Sequence, residues 1–213
     1  MIKIVFEGID GCGKGTQSQR VYDYFKKNNK NVKLYHEPRI IRDQIFKACD
    51  QVGTNNIDDS FVSALFLVDG TLCRREEIAE NYDIILRDRD TSVSMYAYHH
   101  GLGTDDKFIY SLSTFINSIH PVDLLIYLDL PVDIAIDRII KRSSEKKIDD
   151  YFEKGEKLRK TYDNYIQFMT NDKIRNQCGH TNTKIGFVNA NNDPSAVMDN
   201  ILEIIKAYLK IEG

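Results

Sequence analysis

Gly8-Ile9-Asp10-Gly11-Cys12-Gly13-Lys14-Gly15-Thr16 stands directly behind a short apolar run, Ile2 to Phe6, and ahead of a helix-like segment that begins at Lys14. Strand, glycine-rich turn and helix, in that order, form the context in which Gly8, Gly13 and Lys14 make a phosphate-binding P-loop. Glycines let the backbone curl so that successive N–H groups point at a phosphate, and the helix start adds the positive end of its dipole. Lys14 is then placed to reach the β- and γ-phosphates. On this reading Gly8, Gly11, Cys12, Gly13, Lys14, Gly15 and Thr16 hold a nucleoside triphosphate. The position after the lysine usually carries a hydroxyl for Mg²⁺; here it is Gly15, and Thr16 is assigned to the metal. A dinucleotide fingerprint fails, because no third glycine follows at position 16.

The composition narrows the class further. A length of 213 residues suits one domain, 1–213, with a single substantial core. A net charge of −3 argues against a general nucleic-acid or membrane-surface binder, and no segment approaches the roughly 20 apolar residues of a membrane span. A strand begins within two residues of the N-terminus, which leaves no room for a signal peptide. The four cysteines, Cys12, Cys49, Cys73 and Cys178, lack paired spacing and look like reduced thiols of a cytoplasmic protein. His99-His100 has no partner at metal-ligand spacing.

Apolar runs of strand length alternate with helix-like stretches, the pattern of an α/β fold. Strands are expected at Ile2–Phe6, Val32–Tyr35, Ile84–Leu86, Leu124–Leu128 and Ile185–Asn189. Helices are expected at Lys14–Lys27, Ile40–Asp50, Ser60–Glu80, Thr91–Tyr98, Lys107–Ile119, Val132–Arg142, Asp150–Thr170 and Pro194–Leu209. Together they describe a three-layer P-loop NTPase fold: a five-stranded parallel sheet with helices on both faces and a short lid at about 142–150. In such sheets ligands sit at the carboxyl ends of the strands. There the chain places Asp10, then His36-Glu37-Pro38-Arg39, then Arg87-Asp88-Arg89-Asp90. An acid at such a position can hold Mg²⁺ through water, and arginines can fork onto phosphate oxygens. Arg138 and Arg142, four apart on one helix face, lead into a polar loop with Lys146 and Lys147, a pattern that fits a basic lid closing over a triphosphate.

With these motifs assembled, the chain resembles the thymidylate kinases, within the P-loop nucleoside monophosphate kinases, over nearly its full length. Phe6 to Gln17 is close to that family's P-loop, and Glu37-Pro38 to part of its second-strand motif. Leu65-Phe66-Leu67-Val68-Asp69 resembles its third-helix motif, and Asp88-Arg89 with Ser94, Ala97 and Tyr98 its Asp-Arg…Ser…Ala-Tyr-Gln signature with one inserted residue. Leu128 to Pro131, Arg138, Arg142 and Tyr151-Phe152-Glu153 resemble the stretch through its lid. The resemblance implies phosphoryl transfer from ATP, with Mg²⁺, to a nucleoside monophosphate such as dTMP, usually in a homodimer. It implies that Lys14, Asp10, Arg89 and Arg142 are catalytic and that Arg138 belongs to the ATP side. By the same carry-over Asp10, Glu37, Phe66, Arg89, Ser94 and Tyr98 meet the acceptor, Phe66 stacking on its base and Arg89 gripping its phosphate. Asp88, Glu37 and Thr16 are implied at the metal.

Several positions depart from the family pattern. Gly15 replaces the usual hydroxyl residue, His36 stands where arginine is common, and the Gly-Gly-Thr after Pro38 is absent. Gly70 replaces an arginine that reads the thymine edge, Asp90 replaces an aromatic, and His99 replaces the closing glutamine. Arg74, four residues beyond Gly70 on the same helix face, is expected to take over the missing contact to thymine O4. Gly11 stands where some members carry a P-loop arginine, so Arg142, with Arg138, Lys146 or Lys147, is expected to serve the transferring phosphate. Two other readings stay open: a deoxynucleoside kinase with Glu37 as base, or a non-catalytic P-loop protein.

Overall fold

The structure, a computed structural model, describes residues 1–51, 58–101, 103–143 and 155–209. Within them five strands, β1 (Ile2–Glu7), β2 (Val32–His36), β3 (Ile84–Asp88), β4 (Leu124–Asp129) and β5 (Lys184–Asn189), form one sheet in the order β2-β3-β1-β4-β5. Every pairing is parallel. The central strands are buried on both faces, which is why they read as near-continuous Ile, Leu and Val. The chain steps from β1 to one side of the sheet and then, after β3, crosses to the other. The reversal puts the carboxyl end of β1, and the P-loop behind it, at the topological switch point.

Helices α1 (Lys14–Lys27), α2 (Arg42–Cys49), α3 (Asp59–Ala79), α4 (Thr91–His99), α5 (Asp106–Ile119), α6 (Val132–Ser143), α7 (Gly155–Thr170), α8 (Asp172–Gln177) and α9 (Pro194–Leu209) surround the sheet. As expected, Asp193 caps α9, accepting the Ser195 N–H at 2.8 Å, and Pro194 is its first residue. The short α8 was not anticipated. None of its residues is buried, so it has no apolar stripe to reveal it, and its one signal is the Asn171 cap.

Two boundaries move for physical reasons. Helix α2 starts at Arg42 and not at Ile40, because the Asp69 carboxylate takes the N–H groups of Arg39, Ile40 and Ile41 at 2.9, 2.7 and 2.8 Å. Those donors hold the segment as a loop. Strand β3 runs on through Arg87 and Asp88, which pair with both neighbouring strands. Arg87 is therefore not a phosphate fork at the strand end: it is fully buried, bonded to Glu77 and to Asp90. The lid segment from 144 to 150, with Lys146 and Lys147, and the Tyr151-Phe152-Glu153 stretch lie outside the described residues.

Candidate active site

At the carboxyl edge of β1, β2 and β3 lies a cavity of about 820 Å³. Its wall includes Asp10, Gly11, Gly13, Lys14, Gly15, Thr16, Glu37, Phe66, Asp88, Arg89, Ser94, Tyr98, Arg138 and Arg142, so fourteen expected site residues converge there. Gly8, Cys12 and Arg74 do not line it.

The P-loop curls as its glycines permit. Gly8 has φ 146°, and a Cβ there would stand 2.6 Å from the Leu128 carbonyl oxygen. Gly8 and the buried Cys12 thus build the underside of the loop rather than its mouth. Gly11, at φ 83°, would put a Cβ 2.7 Å from the Ala135 carbonyl oxygen on α6. An arginine has no room there, which directs attention to the cations of α6 for the transferring phosphate. Lys14 is nearly buried and lies across the loop, donating to the carbonyls of Gly8 (2.7 Å) and Ile9 (2.9 Å). Phosphate oxygens entering the loop would replace these acceptors.

Gly15 acquires a reason. A Cβ at that position would lie 3.1 Å from Asp88 Oδ2, so its absence lets the carboxylate close onto the first turn of α1. His36 Nδ1 meets the same oxygen at 3.1 Å, filling the place of the family's arginine. Burial alone would raise the Asp88 carboxyl, but the His36 contact, Lys14 and Arg89 outweigh it and hold the group below its usual range. Among the described residues no cluster of three or more His, Cys, Asp or Glu side chains is arranged to hold a metal. An ionised Asp88 beside the phosphate loop still fits Mg²⁺, which is commonly bound by one or two carboxylates together with substrate phosphates.

The opposite half of the cavity is organised by Arg89. It occupies the left-handed region at φ 73°, which turns its side chain back across the site. Its guanidinium pairs with Asp10, donates to Tyr98 Oη at 2.7 Å, and lies over the Tyr98 ring at 5.1 Å. Tyr98 in turn donates to Asp10 Oδ2 at 3.2 Å. Burial pushes the Asp10 carboxyl up, yet Arg89 and Lys14 prevail and keep it below its usual range. Phe66 stands half-buried in the wall, edge-on to His99 at 5.8 Å between ring centroids.

Arg74 corrects the expectation placed on it. The side chain is wholly buried beneath the pocket, donating through Nη1 to Glu37 Oε1 and through Nη2 to Asp90 Oδ2 at 2.7 Å. It cannot reach a base edge while it holds two carboxylates. Glu37 is engaged on its second oxygen as well, by the Thr91 N–H at 2.7 Å and hydroxyl at 2.8 Å. Its carboxylate therefore anchors the start of α4, and a metal or a substrate hydroxyl would have to displace those partners. Gly70 is explained by the same packing: a Cβ there would meet three Thr91 side-chain atoms at 3.0 to 3.2 Å. Asp90 exchanges an aromatic's place for a charge shared between Arg74 and Arg87, and also caps α4. His99 Nδ1 is held at 2.7 Å by the buried Asp59.

On the loop's other flank Arg138 donates to the carbonyls of Gly11 and Ala190, both at 3.3 Å, tying α6 to the P-loop and to the turn after β5. Arg142 follows one helical turn later, exposed and in the cavity wall. Sequence reasoning missed Glu7, Asp59, Asp69 and Thr91 as supports of the site. Glu7 carried a signal, a carboxylate closing an otherwise apolar strand.

The thymidylate kinase family model matches residues 6–190. A probable thymidylate kinase of Methanosphaera stadtmanae is 28% identical over 216 residues, covering 98% of this chain and 99% of the relative. One from Sulfolobus acidocaldarius is 29% identical with 98% of each chain covered. One from Sulfurisphaera tokodaii reaches 37% over 73% of this chain and 74% of its own. The match runs from the strand before the P-loop to the turn after β5, across both halves of the cavity, and on these grounds the chain belongs to the thymidylate kinase family of nucleoside monophosphate kinases.

Proposed function

We propose that this chain transfers the γ-phosphate of ATP to dTMP, giving dTDP and ADP. The observation that carries the proposal is the opposition, within one cavity, of the Lys14 phosphate loop and the Arg89–Asp10–Tyr98 cluster. Phosphoryl transfer asks a protein mainly to position two anions in line and to offset the charge that develops between them. Lys14 and the loop amides hold the donor end. Arg89 would exchange Asp10 for the acceptor phosphate, and Arg142 would approach the transferring group from α6. Asp88, with Thr16 nearby, would hold Mg²⁺, which supplies charge neutralisation on the phosphate oxygens. The acceptor base would stack on Phe66.

At the base end Thr91 occupies the space before Gly70, so no arginine stands there to read thymine O4. Discrimination of dTMP from dCMP, whose base carries an amino donor where thymine has O4, is accordingly weaker than in a relative that has the arginine. A coupled assay with ATP, Mg²⁺ and dTMP, dUMP, dCMP, dGMP, AMP and thymidine tests the proposal. dTMP should be turned over, with dCMP rejected less sharply than an O4-reading arginine would allow. Turnover of thymidine alone would favour the nucleoside kinase reading, although Glu37, already bonded to Arg74 and Thr91, is poorly disposed to act as its base.

We further propose a homodimer. Helix α3 exposes Phe61, Val68 and Leu72 along one stripe, and α5, packed against α3, exposes Phe108 and Phe115. A cytoplasmic setting is proposed from four buried cysteines, none of them in a disulfide. No helix among the described residues is long and apolar enough to cross a membrane.

A further inference from the structure

Glu7 ends β1, immediately before the P-loop, and is fully buried. Its two oxygens gather three donors from two other elements. Oε1 accepts the Asp90 N–H at 2.8 Å and the Ser94 hydroxyl at 3.1 Å, both at the start of α4. Oε2 accepts the Tyr165 hydroxyl from α7 at 2.6 Å. Tyr165 packs edge-on against Tyr98, the residue that shares Arg89 with Asp10. One carboxylate thus touches Ser94 directly and, through Tyr165, backs Tyr98 and the Arg89 that Tyr98 holds, three of the groups that would grip the acceptor. None of the chemistry assigned above uses it.

We propose that Glu7 is a positioning residue for the acceptor half of the site, holding Ser94 and Arg89 in place as a carboxylate and releasing them as a carboxylic acid. This inference rests on the acceptor assignment made above. The chemistry is local. An ionised Glu7 commits the Ser94 proton to itself, so Ser94 presents lone pairs to an incoming nucleotide, and its charge attracts the Arg89 guanidinium through space. A proton on Glu7 removes the pull on Arg89 and frees Ser94 to donate elsewhere.

Burial pushes the Glu7 carboxyl up to about 7, against the opposing influence of Arg89, Tyr165, the Asp90 amide and Lys14. The charged and titratable groups facing it are Arg89 and Asp90 from the β3–α4 turn, Lys14 from α1, Tyr98 from α4, Tyr127 from β4 and Tyr165 from α7. The tyrosines are all held above their ordinary range, first by burial, and stay neutral near pH 7. Asp90 is held well below its ordinary range: burial would raise it, but Arg74 and Arg87 prevail, so it stays ionised. The switchable group of this set near neutrality is Glu7.

The test is a pH profile, from about 5.5 to 8.5, of dTMP and ATP kinetics in the wild type, Glu7→Gln and Tyr165→Phe. The nucleotide phosphates titrate equally in all three, so the wild-type to Glu7→Gln ratio isolates the side chain. At high pH the wild type should exceed Glu7→Gln in kcat/KM for dTMP by roughly tenfold or more, the value of a charge-assisted hydrogen bond. The ratio should fall toward unity as the pH drops through neutrality, while the KM for ATP differs little between them. Tyr165→Phe, which deprives the carboxylate of a donor, should move the step to higher pH. A purely structural Glu7 would lower both substrates' parameters together with no pH step, and that result overturns the proposal. If Glu7→Gln fails to fold, the ¹³C carboxyl titration of Glu7 in the wild type replaces it, and a midpoint below about 5 is equally fatal. A wild type inactive on every monophosphate overturns the acceptor assignment and this inference together. An active wild type with a flat ratio overturns this inference alone.

Discussion

Replacing Arg74 by methionine separates two roles for that residue. Its guanidinium is fully buried and joined to Glu37 and Asp90, two carboxylates that are also out of solvent. Removing one member of a buried ion pair leaves an uncompensated charge and costs about 3–5 kcal/mol. Here the loss is cushioned, because Glu37 keeps the Thr91 amide and hydroxyl, and Asp90 keeps Arg87 and the Ser92 amide. Methionine also refills most of the side-chain volume. We therefore expect the lower end, about 3 kcal/mol, which for a protein of this size is a drop in Tm of roughly 6–12 °C. Adding Glu37→Gln should recover part of it by discharging one of the stranded carboxylates. Scanning calorimetry of the wild type, the single variants and the double variant measures both quantities. A base-reading Arg74 behaves otherwise: Tm would stay put while the KM for dTMP rises by roughly one to two decades, as befits a lost charged hydrogen bond. That outcome would refute the buried clamp.

Lys14→Ala should fold normally and lose roughly 10²-fold or more in turnover, since a preorganised charged donor is typically worth that much; steady-state kinetics alongside circular dichroism checks it. Arg142→Ala should lower kcat while the KM for ATP holds, a contact made only in the transition state; a rise confined to that KM would make Arg142 an ordinary binding residue. His180 is buried and neutral, held by burial at about 4 instead of 6.5. The unfolded chain binds its proton first, so stability is lost as the pH falls from about 6.5 to about 4, by roughly 3 kcal/mol in all. Denaturant titrations of His180→Gln should show a flatter profile over that interval. Val68→Glu, on the exposed stripe of α3, should yield a monomer by light scattering if that face joins two subunits.

The parallel sheet was readable because strands buried on both faces leave continuous apolar runs, and the P-loop because its backbone has few other uses for glycines so spaced. The residues proposed for the donor half are mostly those of that loop, and Gly11, Gly13, Lys14, Gly15 and Thr16 do line the cavity. The acceptor half was harder, for the reason Arg74 illustrates. Helical spacing put it on the same face as Gly70, and correctly so. Whether a cation on that face meets substrate or meets Glu37 and Asp90 depends on partners 37 and 16 positions away in the chain, and spacing within one helix carries no information about them. Asp69 is a parallel case. Read as part of a family motif, it proved to be the side chain that captures three backbone amides of the loop after Pro38. That tether holds the segment in which the family pattern has Gly-Gly-Thr, and it joins positions about 30 apart in the chain.

That capture has a mechanical meaning. A loop tethered through three amides to one carboxylate moves with the helix that bears it, so the acceptor entrance and α3 behave as a single lever. The same helix carries Phe66 and Gly70 on its inner side and Phe61, Val68 and Leu72 on its outer side. Pressure from a second subunit on the outer side would be delivered, without any intervening hinge, to the wall of the cavity on which we propose that the nucleotide base stacks.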